Sequence, residues 1–298
     1  MGRILRWLGY ALIALVVLAA VGIAGLVMAS NHEVDAHVVP VPPPLKLGHG
    51  SVERGKHIFN AVSSCVVCHR NDGGGGPFIN EPAMAVLNAP NLTGGPGGVG
   101  SIYTDADYDR AIRRGIRSDG SRLIIMPSWD YAAFGDDDAA SVIAYIRSLP
   151  PVDRATPRVQ LGPVGRVLVA THKLPFDATR IADEGVPTAT PPPSGTSVAY
   201  GTYLVRIGGC MGCHGAHLSG GHLAGGPNDP PASNLTPAGI GQWSSADFIR
   251  TLNKGRDPGG HNLNDFMPWR TIRNMTDDEL ESIYNYLHLI PARPTGTG

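Results

Sequence analysis

One five-residue pattern occurs twice, as Cys65-Val66-Val67-Cys68-His69 and Cys210-Met211-Gly212-Cys213-His214, and it uses every cysteine in the chain. The spacing is that of c-type haem attachment: two thiols bond to the haem vinyl groups and the adjacent histidine reaches the iron from one side. Each copy therefore commits its part of the chain to surrounding a haem. Disulfides are the usual use of four cysteines in an exported protein. A bridge across two intervening residues would be very tight, and it leaves the histidine unexplained in both copies. A structural zinc site would need both pairs in one place. The first cysteines, Cys65 and Cys210, stand 145 positions apart with no zinc-ribbon pattern between them.

The surrounding blocks repeat as well. Asn91-Leu92-Thr93 answers to Asn234-Leu235-Thr236, and Met126-Pro127 to Met267-Pro268. Thr104, Tyr108, Ile112 and Gly115 answer to Ser244, Phe248, Leu252 and Gly255. Tyr145 and Pro150 answer to Tyr286 and Pro291, and the offset drifts only between 140 and 145. This is a duplicated unit of ordinary domain size. Each copy reads as helical. Val52 to Val62 predicts a helix entering the first motif. Thr104 with Asp107 caps a helix that ends at Gly115. Asp136 to Leu149 opens with three acids, which suit the positive end of a helix dipole, and is stopped by Pro150. In copy two, Thr276 to Glu279 opens the equivalent helix. Alternating strand patterns are scarce, so the expected class is all-α, with a transmembrane helix ahead of two tandem haem domains.

Arg3 and Arg6 precede the apolar run Leu8 to Ala29, long enough to cross a hydrocarbon core of ~30 Å. It is long for a signal peptide, although Val27-Met28-Ala29 also reads as a small-residue cleavage site. An uncleaved anchor is expected over residues 1–31. The arginines keep the N-terminus cytoplasmic, and everything after Ser30 is exported. Residues 32–49, with Pro40 and Pro42 to Pro44, predict an extended tether holding domain 1 (50–150) off the membrane. Residues 151–196 form a second proline-rich linker, with one apolar piece at Val164 to Ala170, too long for a minimal tether and expected to lie across a domain surface. Domain 2 covers 197–292 and a tail 293–298. Net charge is −1, and no basic tract or phosphate loop is present, so no nucleic-acid partner is expected. The glycine run Gly73 to Gly76 reads as a flexible loop.

The group on the far side of each iron decides the chemistry: methionine raises the potential, histidine lowers it, and an open position permits catalysis. Met1 and Met28 belong to the anchor, Met84 lies just behind the first motif, and Met211 lies inside the second. Met126 and Met267 follow His69 and His214 by 57 and 53 positions, at matched places, each before proline. They are the candidate sixth ligands; core packing is the competing use of a methionine. Met275 competes in copy two but has no counterpart. His57, His217, His222 and His261 have no partners in the other copy and read as surface or loop residues, as do His32, His37, His49, His172 and His288. Trp129 and Trp269 are expected near the haem edges.

Gly55, Phe59, Cys65, Cys68, His69 and Met126-Pro127, with Gly201 to Leu204, Cys210, Cys213, His214 and Met267-Pro268, resemble the class I c-type cytochromes. The resemblance covers about 50–150 and 197–292. It implies three or four helices around each haem, with histidine and methionine as axial ligands. Tyr200 to Cys210 is also similar to cytochrome subunits of bacterial alcohol, aldehyde and gluconate dehydrogenases, which typically carry three haem domains where this chain has two. The implied protein is a carrier of single electrons with two covalent haem c groups, needing no acid, base or nucleophile. Its expected partners are a dehydrogenase, a quinol-oxidising complex or an oxidase, on the periplasmic side of a bacterial inner membrane. A dihaem peroxidase and a subunit of a membrane-bound dehydrogenase complex are the alternatives.

Overall fold

The computed structural model describes residues 2–38, 46–174, 176–185, 190–222 and 230–297. It opens with α1 (Gly2–Asp35), whose most apolar stretch has a mean hydropathy of 2.8 and no protein cover. That helix is long and apolar enough to cross a membrane. Copy one follows. Helix α2 (Val52–His57) continues into a π-helical turn, Ile58–Val62. Helix α3 (Val66–His69) carries the first motif histidine. After a β-hairpin come α4 (Asp105–Arg114), the single turn α5 (Ser128–Tyr131) and α6 (Asp136–Ser148). The linker contributes α7 (Pro163–Ala170) and α8 (Asp177–Glu184). Copy two repeats the plan with α9 (Val198–Ile207), α10 (Cys210–His214), α11 (Pro237–Ile240), α12 (Ser245–Lys254), α13 (Trp269–Ile272) and α14 (Asp277–Leu287).

The middle helices form where their caps predict. Thr104 and Ser244 each accept the backbone N–H three positions on, while Asp107 and Asp247 reach back, and both helices end at a left-handed glycine, Gly115 or Gly255. The first and last helices of each copy cross at a glycine. A Cβ on Gly55 would lie 1.8 Å from the Ser141 carbonyl oxygen, and one on Gly201 would lie 1.9 Å from that of Ser282. No other residue permits backbones this close, and the crossing brings Phe59 against Tyr145.

The fold is helix-rich but not purely α. Strands β1 (Gly76–Glu81), β2 (Ala85–Ala89) and β3 (Gln160–Leu161) make an antiparallel sheet in the order β1-β2-β3, with Gly76 opposite Ala89 and Ala85 opposite Leu161. The strands are too short for alternation to show in the sequence. The glycine run is the tight turn that starts the hairpin, not a slack loop: Gly75 has φ +63° and sits where a Cβ would meet the Ala89 carbonyl oxygen at 2.2 Å.

The described parts of the expected tether touch copy one. Helix α1 continues to Asp35. His37 bridges to Ser121, and the Val38 N–H donates to the Gly120 carbonyl. On the far side, Arg113 bonds the Lys46 carbonyl and the His49 N–H meets Asp137. Both ends are therefore pinned to copy one; Pro40 and Pro42 to Pro44 lie outside the described residues. The linker does lie across the protein surface, with α7 along the end of α1 and α8 against α4 and α5. Leu26 and Val27 are each 37 % exposed against 72 % for Met28, and Ser30 is fully buried.

Candidate haem sites and the junction between them

His69 and His214 are both buried. Their Nδ1 atoms lie 3.1 Å from the Pro90 carbonyl oxygen and 2.8 Å from that of Ser233. A carbonyl can only accept, so Nδ1 carries the proton and Nε2 keeps its lone pair. Burial lowers the pKa of both rings, which favours the neutral form that a metal requires.

The carbonyls themselves are held. Asn91, next to Pro90, accepts from the Thr93 N–H and hydroxyl at 2.9 Å each and donates to the Val152 carbonyl at 2.7 Å. Asn234, next to Ser233, accepts from the same two groups of Thr236 and donates to the Arg293 carbonyl. The Asn-Leu-Thr repeat thus positions the acceptor that orients each histidine. The repeat is legible in the sequence, but its purpose depends on the carbonyl one position earlier.

Met126 and Met267 are half-buried against the core in matching turns. In each, the N–H two positions on bonds the methionine carbonyl, at 2.7 and 2.8 Å, and the following proline has φ −76°. Met275 is instead a core residue at 7 % exposure, Met84 lies exposed on the hairpin, and the Met211 sulfur meets Arg206. Of the methionines weighed, only Met126 and Met267 occupy equivalent places. Trp129 and Trp269 do not: the guanidinium groups of Arg180 and Arg206 both lie over the Trp129 ring, and Trp269 is buried against Gly255.

Burial pushes the Cys65 and Cys210 thiols up to about 12 and Cys68 to about 11, and raises Cys213. Such surroundings disfavour thiolate, the form that binds zinc. They suit a neutral thioether, which gives up little hydration on burial. Among the described residues, no three His, Cys, Asp or Glu side chains gather to hold a metal ion. The residues present fit two covalent haems.

The two copies share one apolar core in which Ile58, Phe59 and Val62 join Leu204, Ile207 and Leu280. The Ser63 hydroxyl donates to the Ile207 carbonyl at 2.8 Å, in a buried bond just ahead of both motifs. Tyr131 donates to the Ser63 carbonyl at 2.9 Å. A polar network with approximate two-fold symmetry closes the junction. Arg54 pairs with Asp138 in copy one, and Tyr200 with Glu279 in copy two. Across the copies, His57 meets Glu279 and Tyr203 meets Asp138, both at 2.7 Å. His57 is therefore a junction residue rather than a loop histidine. His261 is exposed as expected. Beside the second motif, burial lifts the Asp130 carboxyl to about 6, with Arg206 and Arg180 drawing it back and Asp177 adding to it. None of these junction residues was legible as such, because residues 222 positions apart carry no local signal of their pairing.

The family model for cytochrome c matches residues 52–150 and 198–290. The chain is 30 % identical to the fructose dehydrogenase cytochrome subunit of Gluconobacter japonicus over 274 residues, which is 85 % of this chain and 55 % of that protein. It is 28 % identical to the alcohol dehydrogenase (quinone) cytochrome c subunit of Gluconobacter oxydans, over 93 % of this chain and 60 % of that one. A diheme cytochrome c-type protein of Cereibacter sphaeroides is 29 % identical over 82 % of this chain and 87 % of its own length. The chain thus spans well under two thirds of the dehydrogenase subunits it matches.

Proposed function

This chain belongs to the cytochrome c family, and from that premise we propose that it is a membrane-anchored dihaem carrier, passing single electrons from a dehydrogenase or quinol-oxidising complex towards a respiratory acceptor. Cys65 and Cys68 would attach one haem and Cys210 and Cys213 the other. His69 with Met126 would hold one iron, and His214 with Met267 the other. The haem supplies an iron that cycles between ferrous and ferric. The chain's residues orient the histidines through Pro90 and Ser233, shield the sites from water within domains 50–150 and 197–292, and hold the two sites at a set spacing. Helix α1 would keep the domains on the periplasmic face of the inner membrane.

The observation that carries this proposal is the buried Ser63–Ile207 bond inside a common core. It joins the chain just ahead of one motif to the chain just ahead of the other, which supports a path for an electron between the two sites. Most of the matched relatives are named as dehydrogenase cytochrome subunits, which favours a working place inside such a complex. In rapid mixing of the purified holoprotein with less than one equivalent of reductant, both haems should reach a common equilibrium at the earliest times read. Electrons that stay trapped on one haem would contradict the carrier, and rapid peroxide turnover by reduced protein would replace it with a peroxidase.

A further inference from the structure

We propose that the cavity between the end of α1, the end of α4 and α8 binds the phosphate headgroup of an anionic phospholipid in the periplasmic leaflet. The proposal rests on α1 being a retained membrane anchor. The cavity has a volume of about 610 Å³, within the range of small-molecule sites. Ile116 and Ile181 line its apolar side, and Arg114, Arg122, Glu33 and His37 its polar side.

The two arginines in it are held differently. Arg122 is committed to Glu33, whose carboxylate accepts at 3.1 Å and whose carbonyl accepts a second bond, and it also donates to the Thr179 hydroxyl. The Arg114 side chain makes no hydrogen bond or ion pair among the described residues, and its Nε is buried without a partner. Asp109, the acid whose charge acts on it, is itself bonded to Arg113 at 2.5 Å. A guanidinium stays charged at any physiological pH. The cavity thus holds, above an apolar floor, one cation whose guanidinium has no hydrogen-bonded acid. A phosphodiester with attached acyl chains supplies the matching anion and the matching apolar surface.

The height is right. Glu33 lies four residues beyond Ala29 on the continuous helix α1, a rise of ~6 Å. The headgroup layer outside the hydrocarbon core is about 5–8 Å thick on each side. At the same end, α7 lies along α1 and leaves Val164 and Val167 47 % and 41 % exposed, where acyl chains would cover them. Copy one then rests on the bilayer through α7 and this cavity, instead of hanging from a spacer.

The test uses the full-length holoprotein in detergent with phosphatidylglycerol and phosphatidylcholine of equal chain length, read by native mass spectrometry. One phosphatidylglycerol should be retained about fivefold in preference to phosphatidylcholine. Arg114→Gln should bring that preference close to unity, Arg114→Lys should keep most of it, and Arg250→Gln, on exposed α12, should leave it unchanged. Both haem spectra report folding. If Arg114→Gln misfolds, the wild-type preference and its retention in Arg114→Lys decide. Equal retention of the two lipids, or an undiminished preference in folded Arg114→Gln, overturns the site. Displacement of the lipid by millimolar inorganic phosphate would assign the cavity to soluble phosphate and overturn the lipid. The intact mass of protein taken from native membranes separates the two failures. A chain starting at Ser30 removes the anchor, whereas an intact chain with no lipid preference removes only the cavity's role.

Discussion

Glu279→Gln keeps the shape of a buried side chain at the junction and removes its charge. Glu279 is 6 % exposed at the side chain. It accepts from His57 at 2.7 Å, the Thr276 N–H at 2.9 Å, Tyr200 at 3.2 Å and Arg54 at 3.4 Å. Burial alone would raise its pKa, but the hydrogen bonds from His57 and Thr276 and the charges of His57 and Arg54 outweigh burial and hold it at about 2, against an ordinary 4.5. A depression of that size is worth about 3 kcal/mol, or about 2–3 after allowance for the half-open flank at Arg54 and His57. The folded pKa is the lower one, so this stability is present in full above about 4.5 and is lost as pH falls towards 2. Less than half should remain near pH 3. Guanidinium unfolding of wild type and Glu279→Gln holoprotein, followed separately by far-UV dichroism and by Soret absorbance, should differ by about 2–3 kcal/mol at pH 7, with the gap narrowing below pH 4.5. Because Glu279 joins the copies, the variant should also begin to unfold in two steps. A difference under about 1 kcal/mol, or one that stays level from pH 7 to 3.5, would refute the assignment.

Gly55→Ala or Gly201→Ala should force the helix crossing open, because the added methyl meets backbone oxygen at 1.8–1.9 Å; a loss of at least about 2–3 kcal/mol in chemical unfolding is expected, and a neutral result would show that the crossing is loose. Met126→His and Met267→His should each lower one haem potential and weaken the near-infrared methionine-to-iron band, leaving the other haem nearly unchanged; no effect in redox titration would mean that other groups complete the iron. Asn91→Ala should cost about 1–3 kcal/mol and, by freeing the Pro90 carbonyl, shift the potential of the first haem alone; an unchanged potential would limit Asn91 to loop packing.

The two Cys-x-x-Cys-His motifs and the doubling of the unit are legible in sequence because they are local. Two cysteines and a histidine must be adjacent to grip one haem edge, and the Thr104–Asp107 and Thr276–Glu279 caps act within one helical turn. Met126 and Met267 stand out among the methionines only when the copies are aligned. The glycines at 55 and 201 could be matched, but their purpose appears only when a second helix crosses them. The sheet was hidden by strands too short to show a period. A proline-rich composition favours extended chain but says nothing of what its two ends touch, and only the fold shows His37, Val38, Lys46 and His49 against copy one. What tertiary structure alone decided is the junction: Arg54, His57, Asp138, Tyr203 and Glu279 come from four helices of two domains. A polar side chain reads as surface in sequence, and only its partner across the fold turns its burial from a cost into a link. The same holds for Arg114, ordinary on its own helix and part of a cavity lining only once α1 and α8 close around it.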